Sequence, residues 1–142
     1  MANPRLTPAF DDIAAVYATY IIDNSTILYD AAQVNGSAQV GLAVTLSAAR
    51  TVELAADADP IEGKLIKVEA DDRATVQVGG YCTLPAGTGA SLTLGKKIVG
   101  DLLVAAPGYV REVATATAAE LGVARGRIID ASVTTDVVVC LD

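Results

Sequence analysis

The stretch that decides the fold runs from residue 60 to residue 101 and reads PIEGKLIKVEADDRATVQVGGYCTLPAGTGASLTLGKKIVGD. Apolar and polar residues alternate in two runs, Ile66 to Ala70 and Ala74 to Val78, as they do in strands with one buried face. A three-residue loop over residues 71–73 sets Val68 opposite Val76 and keeps every apolar residue on one side, whereas a two-residue loop does not. The stretch therefore predicts a β-meander, and its scarcity of reactive side chains indicates a structural protein.

The composition of the chain points to an associating protein. A chain of 142 residues is typical of one domain, and 52% of its residues are apolar. That is more apolar residue than a lone small domain usually hides. No uninterrupted apolar stretch approaches the roughly 18 residues that spanning a bilayer requires. We therefore expect no membrane segment, and we expect the surplus apolar surface to be covered by an oligomer or by a capturing partner.

The charge pattern argues against nucleic acid as a partner. The formal net charge is −7, and the basic residues between Lys64 and Lys97 are interleaved with acidic ones. Nucleic-acid binding depends on clustered Lys and Arg side chains that contact phosphates. The charges therefore predict a mixed, solvated surface.

The N-terminus and the cysteines indicate a reducing compartment. The first eight residues, MANPRLTP, lack the basic region and apolar core of a secretory signal, which predicts synthesis in the cytoplasm. Cys82 and Cys140 are isolated in apolar strands, and the chain contains no histidine that could complete a zinc site. Adjacent strands could bring the two cysteines together. The compartment nevertheless favours two unpaired thiols that act as small hydrophobic residues.

Residues 1–35 differ from the rest of the chain and are predicted to form an N-terminal arm or interaction segment, with residues 36–142 as a β-rich domain. The arm holds four of the six aromatic residues, Phe10, Tyr17, Tyr20 and Tyr29. Aromatic residues are enriched where one protein grips another, so we predict these four as interface residues. The alternative is that they lie in the domain's own core. The pattern leaves open a short helix around residues 13–20 or strands at 20–22 and 26–29.

From residue 40 the chain is predicted to be almost wholly β, as a compact antiparallel β-sandwich or barrel, with a jelly-roll-like arrangement as one option. The predicted strands are 40–46, 51–54, 64–70, 74–84, 91–94, 97–104, 109–113, 127–130 and 136–141. One short helix is predicted where Thr117 can cap it, Glu120 completes the capping pattern and Gly122 closes the end.

The last strand is apolar at every position from residue 137 to residue 141, so neither of its faces is expected to contact water. The strand is therefore either central in its sheet or sealed by a neighbouring subunit. In the second case its edge contributes to an oligomer, and Val137, Val139 and Leu141 are the predicted interface residues.

The sequence predicts no catalytic residues, no cofactor site and no metal site. The absence of histidine removes the commonest general base and the commonest transition-metal ligand. Gly87 and Gly89 would need a third glycine at position 92, which is Leu92, to form a dinucleotide-binding loop, and the spacing of a P-loop is not met either. Asp57 with Asp59, or Asp71 with Asp72, could bind a calcium ion, although acidic residues at turns more often accept hydrogen bonds from nearby amides.

Residues 40–142 resemble the head decoration, or capsid cement, proteins of tailed bacteriophages. The likeness lies in strand and turn segments that follow one another in a consistent order: GKLIKVE (63–69), ATVQV (74–78), LPAGTGA (84–90), LGKKIVG (94–100), GYVREV (108–113) and ARGRIID (124–130). The resemblance implies a non-enzymatic, β-rich virion protein that binds the outside of an assembled capsid, often as trimers at local three-fold positions. Its expected partners are the major capsid protein and further copies of itself. No ligand site carries over.

Other functions remain as alternatives. A small-ligand or carbohydrate-binding β-barrel would use the loop from Leu84 to Leu94 as the mouth of a pocket, with Tyr81 and Tyr109 as the aromatic residues in the body of the domain. An enzyme that relies on carboxylates alone would need a pair such as Glu62 and Glu69. A phage tail component would differ from a capsid protein in its partner and not in its chemistry.

Overall fold

The computed structural model describes residues 13–88, 92–114 and 117–141. Within these ranges the chain is mainly β, as predicted. The elements are β1 (Val16–Ile22), a 3-10 turn (Val34–Gly36), β2 (Ala43–Ala48), β3 (Thr51–Leu54), β4 (Gly63–Val68), β5 (Arg73–Pro85), β6 (Ile98–Leu103), β7 (Ala106–Glu112), α1 (Ala118–Val123), β8 (Arg127–Asp130) and β9 (Asp136–Leu141).

Five strands close into a barrel in the order β1-β3-β2-β4-β5, and β5 returns to pair with β1. The pairing of β1 with β3 is parallel, and the other pairings in the ring are antiparallel. Val44, Leu65 and Val76 are among the buried residues that fill the interior. Ile27, from the loop after β1, is fully buried against the same cluster. The barrel interior is thus a packed apolar core.

The strand β5 is 13 residues long and belongs to two parts of the structure. Its first half lies in the barrel, and its second half pairs with β9, which in turn pairs with β8. The hairpin of β6 and β7 forms a separate two-stranded sheet. A second core joins Ile98 and Val110 of this hairpin to Leu84 and Val139 of the three-stranded extension.

The two halves of β5 meet at Gly79 and Gly80. Gly80 has a φ of +87°, and a Cβ atom there would lie 2.5 Å from the carbonyl oxygen of Ala14, so only glycine fits. The buried side chain of Gln77 donates hydrogen bonds from Nε2 to the carbonyl oxygens of Gly79, at 3.1 Å, and Tyr81, at 3.0 Å. A single amide group therefore satisfies the backbone where the strand changes partners.

The turn between β4 and β5 has three residues, but its position differs from the prediction. The amide of Glu69 donates to the carbonyl of Arg73, so the loop is residues 70–72, and Val68 pairs with Ala74 instead of Val76. Asp72 has a φ of 62°, which suits the last residue of such a loop. The register shifts by two residues, which leaves Val68, Ala74 and Val76 on the buried side.

Three predicted strands, residues 51–54, 127–130 and 136–141, agree with the structure at both ends. The strand predicted at 91–94 is wrong over residues 92–94, which form a loop and a turn, and residue 91 lies outside the described residues. Thr117 is the N-cap residue of α1, as predicted, but its side chain makes no capping hydrogen bond. The predicted role of Gly122 is wrong, because this residue lies inside α1, which ends at Val123.

The cysteines lie on neighbouring strands with opposite orientations. Cys82 pairs with Val139, and Cys140 pairs with Tyr81. Because adjacent residues of a strand point to opposite faces, Cys82 faces the second core while Cys140 faces away from it. Neither Cys82 nor Cys140, both described residues, forms a disulfide bond. This orientation prevents the two side chains from meeting within one chain.

Part of the predicted N-terminal arm is built into the barrel. β1 pairs with β5 from Val16 to Ile21 and with β3 at Ile21 and Ile22. Residues 26–29 form no strand, and the helix considered around 13–20 is not present. Residues 1–12, which include Phe10, lie outside the described residues. Removal of residues 1–35 would therefore remove a strand of the barrel.

We expect the substitution Gln77→Leu to lower the free energy of unfolding by about 2 kcal/mol or more, because it removes both hydrogen bonds that the buried amide group donates to the backbone at the bend of β5. The matched control is Gln33→Leu on the exposed loop before the 3-10 turn, which should change stability by no more than about 0.5 kcal/mol. Urea unfolding midpoints would measure both changes. Equal midpoints for the two variants would contradict this role of Gln77.

Candidate functional site

Three large apolar side chains at the start of β1 face solvent. Ile13, Val16 and Tyr17 are 48%, 56% and 49% exposed. We call these three residues the β1 patch. Large apolar residues scattered singly over a surface are normal, but neighbouring ones mark a surface that another molecule covers. The β1 patch is therefore the first candidate site, and it contains one residue, Tyr17, that the sequence predicted at an interface.

The register between β1 and β5 is irregular at the β1 patch. Val16 pairs with Gly79 and Tyr17 pairs with Gln77, so one residue of β5 is skipped. A Cβ atom on Gly79 would lie 3.3 Å from the Cβ atom of Val16, so the glycine gives the valine room. The amide of Tyr81 also donates to the carbonyl oxygen of Ile13 at 2.9 Å. The patch is thereby fixed on the bend of β5.

Tyr20 has a different role from the one predicted. It is half-buried, and its hydroxyl group donates a hydrogen bond to Oε1 of Glu62 at 2.5 Å. Burial raises the pKa of Tyr20 to about 12, and the hydrogen bond and negative charge of Glu62 add to this rise, while the positive charge of Arg125 opposes it. The structure thus places Tyr20 in a hydrogen-bonded network of the chain itself.

Tyr29 lies beside a shallow depression of about 470 Å³ at the end of β4. Lys67 and Glu69 line the same depression and form an exposed ion pair at 3.7 Å. Exposed ion pairs of this kind add little to stability. The depression is mostly polar, and Tyr29 is not part of the β1 patch, so the structure does not gather the predicted aromatic residues into one site.

The last strand is central in its sheet, but the expectation that neither of its faces contacts water is wrong, because Val138 and Cys140 on one face are only partly buried. β9 pairs with β5 on one side and β8 on the other. The side chains of Val137, Val139 and Leu141 are buried in the second core. These three side chains are therefore unavailable to a partner in this fold, and β9 has no free edge. Of the two explanations of this apolar strand, the structure supports the central position.

A surface that the sequence analysis missed is the tip of the β6–β7 hairpin. Leu103 and Val104 are 43% and 88% exposed at this tip. A second depression, of about 240 Å³, lies on the outer face of β5, β9 and β8. The sequence signal of this tip is the run LLVAAP (102–107). It joins two strand patterns without the glycine or asparagine expected of a tight turn.

Asp57 and Asp59, which were considered as calcium ligands, have partners within the chain. Asp57 Oδ1 accepts a hydrogen bond from Arg111 Nε at 2.9 Å, and Asp59 Oδ2 accepts one from the amide of Ala56 at 2.9 Å. Arg111 Nη1 also contacts Glu120 Oε1 at 2.7 Å. The hydrogen bond from Arg111 holds the pKa of Glu120 below its usual value. These contacts fasten α1 and the loop before β4 to β7.

The described residues contain no group of three or more Cys, Asp or Glu side chains that could hold a metal ion. Within the same ranges, no helix has the length and apolar character needed to cross a membrane. Comparison of the chain with protein-family models, with curated proteins and with solved structures found no match.

The ionisation of Tyr20 gives a test of the network around Glu62. Because its pKa in the folded chain is raised from 10.0 to about 12, Tyr20 stabilises the fold below pH 10, and this contribution is lost as the pH rises towards 12. We expect the thermal midpoint of the wild-type chain to fall more steeply over this range than that of Tyr20→Phe. The ultraviolet difference spectrum between the two chains should show tyrosinate formation centred near 12, and a midpoint near 10 would contradict the network.

Proposed function

We propose that this chain is a structural virion protein that binds the outer surface of an assembled bacteriophage capsid, associates with copies of itself and stabilises contacts between major capsid subunits. The resemblance of residues 40–142 to head decoration proteins indicates the class of partner. The mainly β fold with a closed barrel agrees with a rigid body of this kind. A homotrimer is the expected state of association.

The observation that carries the proposal is the β1 patch. Its three large apolar side chains are each about half exposed and lie within five residues of one another in the sequence, and apolar side chains left exposed close together mark contact surfaces. Because Val16 and Tyr17 pair with β5 and the carbonyl oxygen of Ile13 accepts a hydrogen bond from the amide of Tyr81, the backbone beneath the patch is held in place before any partner binds. Ordering costs on binding are correspondingly small. We assign the patch to the contact with the capsid.

On a lattice of repeated binding positions, several weak contacts together are sufficient for stable binding. When several copies are joined, the second and third contacts with the lattice are intramolecular, and the overall affinity can exceed that of one contact by roughly 10² to 10⁴. This gain requires that the surfaces for self-association and for the lattice do not overlap. A small apolar patch on each copy is then enough to hold the assembly on a capsid.

The ligand-binding barrel is a weaker candidate. Side chains such as Ile27, Leu65 and Val76 fill the interior of the barrel, so a ligand would have to bind in a surface depression. The loop proposed as the mouth of the pocket, residues 84–94, is described only in part, at 84–88 and 92–94. Its described start is held by hydrogen bonds from Ala86 to Thr135 and from Gly87 to Val110.

The decisive variant is Tyr17→Asp, which places a charge in the centre of the β1 patch. We expect its affinity for capsids of the encoding phage, prepared without this chain, to fall at least about tenfold, because a charge would be buried against the partner. Cosedimentation of the labelled chain with these capsids over a range of concentrations would measure the change. The circular dichroism spectrum should remain that of the wild type, because Tyr17 is about half exposed.

The matched control is Val34→Asp. Val34 is 83% exposed and belongs to the 3-10 turn, which contacts the end of β4. The β1 patch lies elsewhere, at the start of β1. It should bind capsids as the wild type does. If the wild-type chain does not cosediment with capsids at all, the proposed function is wrong. If Tyr17→Asp and Val34→Asp bind equally well, the assignment of the β1 patch is wrong.

A further inference from the structure

The tip of the β6–β7 hairpin has an unusual residue in its turn. Leu103 pairs with Ala106, so the loop contains only Val104 and Ala105. Val104 has a φ of 61°. Tight hairpin loops normally carry glycine, asparagine or aspartate at such a position, because a branched side chain is crowded there. Among the described non-glycine residues with positive φ, Val104 is the only β-branched one.

The exposure of this residue makes its identity harder to explain by folding alone. Val104 is 88% exposed and its neighbour Leu103 is 43% exposed, so neither side chain contributes much to the chain's own core. Glycine or asparagine at position 104 would relieve the backbone and remove apolar surface from water. Strain that is retained at an exposed position indicates a role for the side chain in a contact.

The tip is also held in place. The amide of Val104 donates to the hydroxyl oxygen of Thr88 at 2.6 Å, and the amide of Thr88 donates to the carbonyl oxygen of Leu102 at 2.9 Å. The loop after β5 therefore braces the hairpin at its turn. The tip is a rigid apolar projection, and a rigid projection loses little entropy when it enters a partner.

The same chain carries a depression of suitable size and character. The depression has a volume of about 240 Å³ and is lined by Thr83, Asp130, Ser132, Val133, Asp136 and Val138. Val133 is 55% exposed at its rim. Its exposed lining is more apolar than polar, and the carboxylate of Asp130 accepts a hydrogen bond from the amide of Ser132, so valine and leucine side chains can enter it.

The tip and the depression lie on opposite faces of one sheet. Leu84 and Val139 face the core that contains the β6–β7 hairpin, while Thr83 and Val138 point to the outer face. The tip of one chain therefore cannot enter the depression of the same chain. A second copy can supply it, because a projection on one face and a receptacle on the other join copies head to tail.

We propose that the tip of the β6–β7 hairpin, Leu103 and Val104, inserts into the depression around Val133 and Val138 of a second copy. Repetition of this contact closes into a ring when the rotation between copies is that of a small cyclic assembly. The inference rests on the self-association in the proposed function and specifies its surfaces. It is separate from the contact of the β1 patch with the capsid.

The first test compares two glycine substitutions. Val104→Gly relieves the backbone and removes the projection, so we expect a higher thermal midpoint together with self-association at least about tenfold weaker. Arg50→Gly is the matched control, because Arg50 has a φ of 58° in the two-residue loop between β2 and β3. It should raise the midpoint and leave self-association unchanged. Sedimentation velocity over a range of concentrations measures the association.

The second test uses complementary defects. Val104→Asp destroys the projection and Val133→Asp destroys the receptacle, so each variant alone should be monomeric. An equimolar mixture should form heterodimers and nothing larger, because one intact tip meets one intact depression. This result distinguishes a head-to-tail contact from a symmetric one, in which both partners use the same surface. Both variants change exposed residues and should retain the wild-type circular dichroism spectrum.

The outcomes separate this inference from the proposed function. A wild-type chain that stays monomeric, a Val104→Gly chain that associates like the wild type, or a mixture that stays monomeric would each overturn the head-to-tail contact. None of these results depends on capsids. Conversely, a chain that forms the predicted heterodimers but does not cosediment with capsids would support the contact and contradict the decoration function.

Discussion

The structure depends on the satisfaction of backbone carbonyl groups where β5 passes from the barrel to the three-stranded extension. The guanidinium group of Arg125 donates to the carbonyl oxygens of Ile61, Glu62 and Val78. The backbone of Arg125 pairs in turn with Ile98 of the hairpin. An arginine suits this position because it presents several donors in a rigid fork and has no acceptor to satisfy. One residue thus connects the barrel, the extension and the hairpin, and the surfaces on all three are fixed relative to one another.

The parts of the fold that follow from local pattern could be predicted from the sequence. β8 and β9 were predicted to the residue because their apolar runs end at turn residues. The register between β4 and β5 could not, because a shift by two residues leaves each side chain on the same face of its strand. The predicted apolar face is also wrong in part, since Leu65 is buried and Ile66 is only partly buried. A bulge at Ile66 and the positive φ of Asp72 select the observed pairing. Neither the bulge nor the positive φ can be recognised in the pattern of apolar residues. That pattern shows on which face of the strand a residue lies and not which residue it pairs with.

The parts of the fold that depend on contacts between residues distant in the sequence could not be predicted. The aromatic residues near the N-terminus predicted an interaction segment, but Tyr20 bonds to Glu62, 42 positions away, and β1 completes the barrel. The apolar run of β9 was equally consistent with a central strand and with an interface, since burial by the chain and burial by a partner require the same residues. Only the pairing of β8 with β9 decides between them. Tyr17 and Tyr29 remain exposed, so their place at an interface stays a prediction.

Part of the exposed apolar surface, which first suggested association, lies in surfaces that are well separated. Pro85, near the braced hairpin tip, is six positions along β5 from Gly79, which lies beside the β1 patch, and a strand of that length spans roughly 20 Å. A copy can therefore contact a lattice through one surface and a neighbouring copy through the others without competition between them. Simultaneous contact is the condition for avidity. The turn at Val104 fits this arrangement, because a sequence under selection for folding alone would replace valine there, whereas one under selection for contact between copies would retain it.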